Sequence, residues 1–445
     1  MSPRVRFAPS PTGLLHVGNA RMALANFLFA RHEHGSFILR LDDTDAERSR
    51  PEHEEAIRQD LRWLGIEWDE TFRQTDRLDR YGAAAERLKR AGRLYACFES
   101  EEELRLKREQ RIKRGLPPVY DRAMLKLTAE QRATAEAGGK RPYWRFLLSD
   151  DVAGWNDLVL GPRQVKLGTV SDPVLIRADG TPLYTFTSVV DDIETGITHI
   201  IRGEDHVTNT AVQLDLLAAL GSDPAQLGFA HLPLLAGAEG GKLSKRLDSL
   251  SLRAMRSDGI EPAALAAYLA RLGTSDDLEL VPMADLIAGF DFAHISHAQA
   301  RFDPAQLLAL NRRVLHSLPF EAVADRLPSG ATEAFWLAVR GNLDLLAEAR
   351  GWWDVVAGQI VPPVIEGEGA FLHTARDLLP PEPWDATVWS RWTGALRDAT
   401  GRKGRALYLP LRLALTGEDH GPELRELLPL MGRTRAANRL QIAAT

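Results

Sequence analysis

The chain has 445 residues, more than one ordinary hydrophobic core can serve, so two or three domains are expected. Apolar residues make up 44% and charged residues 26%, the proportions of a globular protein, and no apolar run reaches the length of a membrane span. A single cysteine excludes a disulfide framework and an all-cysteine zinc cage; with a strand expected as early as Val5 and no room for a leader before it, a cytoplasmic setting is expected. The net charge of −6 argues only weakly against a nucleic-acid partner, because the distribution of charge matters more than its sum. Basic residues gather in Arg105–Arg114, in Arg397, Arg402, Lys403, Arg405 and Arg412, and in Arg433, Arg435 and Arg439. Each group reads equally well as a solvated face.

In chain order, Val5 to Ala8 reads as a short buried strand. Pro9, Pro11 and Gly13 break it into a tight turn, and Asn19 to His34 reads as a helix with Ala20, Ala23, Leu24, Phe27 and Leu28 at helical spacing and Gly35 as its stop. Strand, turn and helix open a doubly wound nucleotide-binding unit, whose helix N-terminus faces an anion. Gly18 lets backbone approach a ligand, and His16, just ahead of the helix, is placed to touch phosphate. An ordinary βα turn with an incidental histidine is the competing reading of this segment alone.

Ser36 to Leu41 reads as the second strand and ends in Asp42, Asp43 and Asp45, where open α/β sheets bind ligands. Ser49 and Glu52 form a capping box for the next helix, with Pro51 in its first turn and Gly65 closing it. A further helix covers Leu78 to Ala91 and ends at Gly92. From 95 to 175 the pattern changes to a charged helix, a Pro117-Pro118 break, strand-like pieces at 143–148 and 164–167, and turns at Gly154 and Gly161. This reads as an α+β insertion between two halves of the nucleotide-binding sheet. The sheet resumes near Asp172, with a strand-like Leu183–Thr187, a buried strand His199–Arg202 followed by Gly203-Glu-Asp-His206, a helix 210–220 and an apolar strand 229–235. That strand feeds Gly240-Gly-Lys-Leu-Ser-Lys-Arg246, a cationic loop without the spacing of a P-loop. Beyond Leu247 the pattern is helical (262–272, 283–288, 304–315), with no further strand and no internal repeat. After Leu318 come helices separated by Pro and Gly turns and six of the ten tryptophans, at 336, 352, 353, 384, 389 and 392. Most read as core, with one or two free to stack on unpaired bases.

Two distant segments gain meaning together. His16-Val-Gly-Asn19 and Lys242-Leu-Ser-Lys-Arg246 resemble the two signature sequences of class I aminoacyl-tRNA synthetases. Phe7-Ala-Pro-Ser-Pro-Thr-Gly13, Leu39-Arg-Leu-Asp-Asp-Thr-Asp45 and the closing Leu415–Glu423 resemble the glutamyl-tRNA synthetases in particular, nearly end to end. The resemblance implies a Rossmann-like α/β catalytic domain in two halves (1–94 and 176–240) around an inserted α+β acceptor-binding domain (95–175). A helical stem-contact domain carrying the lysine loop (241–317) and an all-α anticodon-binding domain (318–445) follow.

It implies a two-step reaction in which a glutamate carboxylate attacks the α-phosphate of ATP, and a terminal ribose hydroxyl of tRNA then takes the acyl group. Positioning and positive charge are what such chemistry needs. His16, Lys242, Ser244 and Lys245 are the catalytic candidates, and Gly13, Gly18 and Asn19 join them around ATP, with Mg²⁺ carried on the phosphates. Arg6 and Arg202 would face the side-chain carboxylate of glutamate, Tyr184 and Ser10 would add hydrogen bonds, and Asp42 would take the α-ammonium. Asp42 stands where many bacterial relatives have glutamate. An ion pair of Arg202 with Glu204 or Asp205 is the competing reading of that arginine. Asp205 and His206 fall near the ribose or the tRNA end.

Some relatives carry zinc in the insertion on several cysteines. Here Cys97 stands alone, with Glu99 near it and no cysteine after Tyr120-Asp121-Arg122, so no zinc is expected. The expected partners are tRNA(Glu) and L-glutamate, no membrane, and a monomeric state. Relatives also divide into those restricted to tRNA(Glu) and those that charge tRNA(Gln) as well. Near Val339–Asn342 restricted relatives show an arginine that reads the third anticodon base. Alignment on Arg340 predicts restriction and alignment on Asn342 predicts relaxed reading; both stay open. Competing identities are a glutamyl-queuosine tRNA synthetase, which lacks the region after Leu318, a glutaminyl enzyme, whose anticodon end is built of strands, and an RNA-binding paralogue that has lost catalysis.

Overall fold

A computed structural model describes residues 2–237 and 250–445. Contacts divide the chain into two compact units, the first of residues up to 255 with 266–303, the second of 256–265 with 304–445. The expected 241–317 domain is thus shared between the two, and Lys242, Ser244 and Lys245 lie outside the described residues.

In the first unit, β1 (Arg4–Phe7), α1 (Val17–His32), β2 (Ser36–Leu41), α2 (Pro51–Trp63), β3 (Glu70–Arg73) and α3 (Leu78–Arg90) alternate as parallel βα units should. The strands run parallel in the order β1-β2-β3. β4 (Leu94–Cys97), α4 (Glu101–Lys113), α5 (Ala129–Ala137), β5 (Tyr143–Phe146), β6 (Val152–Asp157), β7 (Gly161–Lys166) and β8 (Val174–Ile176) follow. After them come α6 (Tyr184–Glu194), β9 (His199–Gly203), α7 (Val207–Ala219), β10 (Gly228–Leu232) and β11 (Leu235–Gly237). β9 and β10 are parallel, and the Thr198 N–H donates to the Arg4 carbonyl at 2.9 Å, which sets β9 beside β1. The order β3-β2-β1-β9-β10 is that of a doubly wound nucleotide-binding sheet, with its reversal point between β1 and β9.

Several local expectations are corrected. α1 begins at Val17, two residues early, because His16 caps it. Arg50, not Ser49, is the N-cap of α2; the residue before Pro51 is forced into extended backbone (φ −131°), and the Ser49 hydroxyl is buried without a partner. Leu183–Thr187 is not a strand but the N-cap and first turn of α6, whose Phe186, Val189 and Val190 pack into the core of the first unit, a tertiary gain that outweighs β propensity. Gly154 lies within β6, whereas Gly161, at φ +73°, does begin the return strand. The range 95–175 does not form one sheet of its own. β4, β5 and β8 make an antiparallel sheet that crosses both expected edges, while the β6–β7 hairpin joins β10 through Asp157 opposite Phe229.

The helices α8 (Leu252–Asp258), α9 (Pro262–Arg271) and α10 (Met283–Ala288) precede a strand the sequence hid, β12 (Ala300–Phe302), which pairs parallel to β11. Three residues carry no readable alternation. The second unit continues with α11 (Pro304–Ser317), α12 (Glu333–Val339), α13 (Ala349–Val356), α14 (Gly369–Asp377), α15 (Val388–Thr400), α16 (Arg405–Thr416), α17 (Leu424–Met431) and α18 (Arg433–Ala443). Trp336 and Trp392 are fully buried cores of this unit, and Trp352, Trp353, Trp384 and Trp389 pack half-buried against them, so none of the six stands exposed.

Inside the first unit, Asp191 and Asp192 on α6 collect cations from three elements. Asp192 takes Arg6 of β1 at 3.1 Å and Arg40 of β2 at 2.8 Å; Asp191 takes Arg77 at 2.7 Å, Gln74 at 2.8 Å and the Tyr81 hydroxyl at 3.0 Å. Replacing Asp192 by alanine leaves two buried guanidinium groups short of a counter-ion. Asp192→Ala is expected to cost about 3–5 kcal/mol, read as a lowered thermal midpoint of the first unit's transition in calorimetry, while Glu70→Ala at the exposed pair with Arg4 stays near wild type.

Candidate active site

The carboxyl ends of β1 and β9 open onto a cleft of about 540 Å³. Its walls include Arg6, Ser10, His16, Gly18, Asn19, Tyr184, Arg202, Asp205 and His206. Nine residues named from the sequence therefore meet at the reversal point, where such sheets hold ligands. Gly13 lies on the turn just outside, with open space beside its Cα.

His16 is the N-cap of α1. Its Nδ1 accepts from Gly18 N–H at 3.0 Å, and Asn19 Oδ1 accepts from His16 N–H at 3.2 Å, a reciprocal box built on a histidine. Burial pulls the imidazole pKa down, so with Nδ1 occupied as an acceptor the ring is neutral and its proton sits on Nε2. The result is an N–H donor beside a helix N-terminus. A Cβ on Gly18 would lie 2.8 Å from His16 Cε1, which explains the glycine. Leu234 and Leu235 line the same cleft, and Ser251 forms an antiparallel bridge with His16.

The two guanidinium groups differ. Arg6 is buried and paired through Nε and Nη2 with Asp192. Arg202 is equally buried, yet among the described residues every partner is neutral: Nη2 donates to Thr210 Oγ1 at 2.6 Å and Gln213 Oε1 at 2.8 Å, Nη1 to the Tyr184 hydroxyl at 3.3 Å, and Nε to His231 Nε2 at 3.4 Å. It forms no ion pair with Glu204 or Asp205; Glu204 instead accepts from Leu234 N–H at 3.1 Å. Burial lowers the Arg202 pKa, the mark of a cation kept from water without a counter-charge. His206 stacks obliquely on Tyr184 at 5.7 Å, and its pKa is lowered by burial and by Arg202.

Asp42 is not brought into the cleft. It is buried with both oxygens on Arg40, at 2.7 and 3.2 Å, because a carboxylate at that depth needs a cation at once. Its neighbours are also spent: Asp43 caps Thr75, and Asp45 holds Arg48. Asn342 lies in the second unit, exposed at the end of a short turn, while Arg340 donates to the Leu318 carbonyl at 2.8 Å. Cys97 is buried, 3.8 Å from the Tyr120 hydroxyl, with burial pushing its thiol pKa up to about 11. Sequence reasoning missed Thr210, Gln213 and His231, which hold Arg202, and Asp157, which holds His231; nothing local marks them.

The model for tRNA synthetases class I (E and Q), catalytic domain, matches residues 3–309, and that for an anticodon binding domain matches 366–444. The chain belongs to the class I tRNA synthetases of the E and Q group. Similar curated proteins include a "Glutamate--tRNA ligase 2" of Granulibacter bethesdensis, 68% identical over 99% of this chain and 98% of its own, and one of Acidiphilium cryptum, 66% identical over 99% of each. Among solved structures, a glutamate tRNA ligase from Elizabethkingia meningosepticum, in complex with its amino acid, superimposes with a TM-score of 0.84 at 29% identity, covering 100% of this chain and 99% of that one. In this synthetase fold no helix among the described residues is long and apolar enough to cross a membrane.

Gly18→Ala should push the His16 ring aside and open its cap on α1. The expected loss is about 1 kcal/mol, read as a lower midpoint in chemical denaturation, with helix content by circular dichroism unchanged.

Proposed function

We propose that the protein is a glutamate–tRNA ligase. It joins L-glutamate to AMP at the expense of ATP, releasing diphosphate, and passes the glutamyl group to the 3′ end of tRNA(Glu). Relatives of that name matched along the whole chain support the class of reaction. The observation that carries the amino acid is Arg202, a buried cation in the cleft wall whose partners among the described residues are all neutral. A carboxylate completes it; an amide leaves it unpaired, which is the basis of discrimination against glutamine.

In this reading Arg202 and Arg6 take the side-chain carboxylate, with Tyr184 and Ser10 adding hydrogen bonds. The α-carboxylate attacks the α-phosphate, forming the acyl–phosphate bond as the bond to diphosphate breaks. His16 donates from Nε2 to the phosphate oxygens as negative charge builds, and the N-terminus of α1 at Gly18 and Asn19 adds its dipole. Lys245 supplies the remaining positive charge, with Lys242 and Ser244 holding their loop in place, and Mg²⁺ arrives on ATP. Asp42 acts from behind: it fixes Arg40, which shares Asp192 with Arg6. Asp205 and His206 are placed at the rim for the ribose or the tRNA end. The segment 95–175 holds the acceptor end, 241–317 the stem and 318–445 the anticodon, in a cytoplasmic monomer.

One observation favours a second substrate. Arg340 is committed to the Leu318 carbonyl, beside Trp336 Nε1 on the same oxygen, and Asn342 is the exposed side chain. An asparagine in that place relaxes reading of the third anticodon base and admits tRNA(Gln).

ATP–diphosphate exchange, run with and without tRNA, tests the reaction. Arg202→Ala should raise the KM for glutamate roughly 30-fold or more with the KM for ATP within twofold of wild type. Lys245→Ala should lose exchange by about 100-fold or more while tRNA affinity holds. A uniform loss in both substrates would reject these roles. Charging of purified tRNA(Glu) and tRNA(Gln) decides the second reading: glutamyl-tRNA(Gln) is expected to accumulate, and Asn342→Arg to suppress it.

A further inference from the structure

Behind Arg202, away from the cleft, stands a pair that the reaction itself does not use. His231 on β10 is fully buried, and its Nδ1 lies 2.5 Å from Asp157 Oδ2 at the end of β6. Asp157 is itself buried, and its Oδ1 accepts three backbone N–H groups, from His231 at 3.1 Å, Val159 at 3.1 Å and Leu160 at 3.0 Å. Burial alone would raise the pKa of this carboxyl, but the bonds from His231 and the backbone hold it at about 2, so it is an acceptor only.

The proton in the short contact therefore belongs to Nδ1. Burial also lowers the His231 pKa, so the ring is neutral and its Nε2 is a lone pair. That lone pair faces two donors: Thr210 Oγ1 at 2.8 Å and Arg202 Nε at 3.4 Å, a long bond. Thr210 Oγ1 in turn receives Arg202 Nη2 at 2.6 Å. The chain of protons runs one way, from Arg202 through Thr210 and His231 to Asp157.

We propose that His231, fixed in its Nδ1–H tautomer by Asp157, is a positioning and specificity residue for glutamate that acts through Arg202. The inference rests on the reading of Arg202 given above. A carboxylate at the place of His231 would hold Arg202 more firmly but neutralise it, and the preference for an anion over an amide would fall. A histidine of the other tautomer would turn an N–H toward Arg202 Nε and drive the guanidinium off its seat. Only a neutral acceptor orients the group and leaves its charge for the substrate. Asp157 supplies that condition two shells from the ligand, from a hairpin far away in sequence.

Asp157→Asn, which presents an amide N–H to the ring and favours the other tautomer, is expected to raise the KM for glutamate roughly tenfold. His231→Leu should do the same, with the KM for ATP close to wild type and a reduced preference for glutamate over glutamine, alongside a lower thermal midpoint because the buried Asp157 loses its imidazole partner. His231→Gln restores an acceptor near Nε2 and should return the KM for glutamate to within about threefold of wild type. Unchanged glutamate KM in Asp157→Asn and His231→Leu overturns the proposal. So does an equal loss toward glutamate and ATP, or a Gln variant as impaired as Leu, since either marks a purely structural pair. Arg202→Ala is measured alongside: if it too leaves the glutamate KM unchanged, the reading of Arg202 falls first and this inference with it.

Discussion

Two adjacent carboxylates near the end of α6 hold the catalytic unit in register. Asp192 binds Arg6 from β1 and Arg40 from β2, and Asp191 binds Arg77, Gln74 and Tyr81 from the elements that follow β3. These groups are separated from α6 by the whole 95–175 region, so they tie the two sequence halves of one sheet across a long excursion. Buried ion pairs of this kind gain little over a well-packed apolar core, but they are costly to break singly, and each guanidinium has one seat. Here they do geometric work. The ends of β1 and β9 are set side by side, and that is where the cleft opens.

The same network explains why two arginines in one wall differ. Arg6 shares Asp192 with Arg40, whose other carboxylate is Asp42; its charge is largely balanced. Arg202 lies on the other side of the reversal point, and the groups that reach it are a phenol, a threonine hydroxyl, a carboxamide and an imidazole. A lysine could not serve there. Its point charge lacks the planar fork that allows three nitrogen atoms to be anchored while one N–H, on Nη1, stays open to a ligand.

What the sequence shows of this depends on the range of the interactions. The strand–turn–helix opening is legible because prolines, glycines and helical spacing act within a few residues, and so His16, Gly18 and Asn19 are found where expected. β9 and β10 are legible as apolar runs. Arg6, Tyr184 and Arg202 meet in one cleft wall, yet only resemblance singled them out, since no local pattern distinguishes them from other core or surface residues of their kind. Asp42 looks like a ligand for want of any sign that Arg40, two residues earlier on the same strand, would turn to meet it. The Ser49 cap fails because Pro51 dictates the backbone of Arg50, and the strand expected at Leu183 fails because packing of Phe186, Val189 and Val190 into the core outweighs β propensity. Asp157 and His231 are 74 residues apart and join through pairing of β6 with β10, a long-range event with no short-range signature.

The basic residues near the C-terminus show the converse error, in which charge suggests a ligand and the structure supplies a backbone. Arg439 is buried and gives Nη1 to the carbonyls of Val355 and Leu415, at 2.6 and 2.7 Å, and Arg435 gives its two terminal nitrogens to Val356 and Ala357, at 2.6 and 2.9 Å. These carbonyls include those at the end of α13, where the helix leaves acceptors unsatisfied and its dipole favours a cation. Burial lowers the Arg439 pKa to about 10, low for an arginine but still far above neutrality, so it stays charged while bonded to neutral oxygens. Arg202 and Arg439 are thus chemically alike, buried cations without carboxylates. Both also line a cleft, so open space alone does not separate a binding group from a brace: Arg202 shares its wall with His16, Tyr184 and the carboxyl end of β1, whereas the main bonds of Arg439 close on the carbonyls of its own helical unit. Charge alone does not identify a site, nor does an open volume beside it; a buried charge whose wall is shared with the carboxyl ends of parallel strands and a helix N-terminus does.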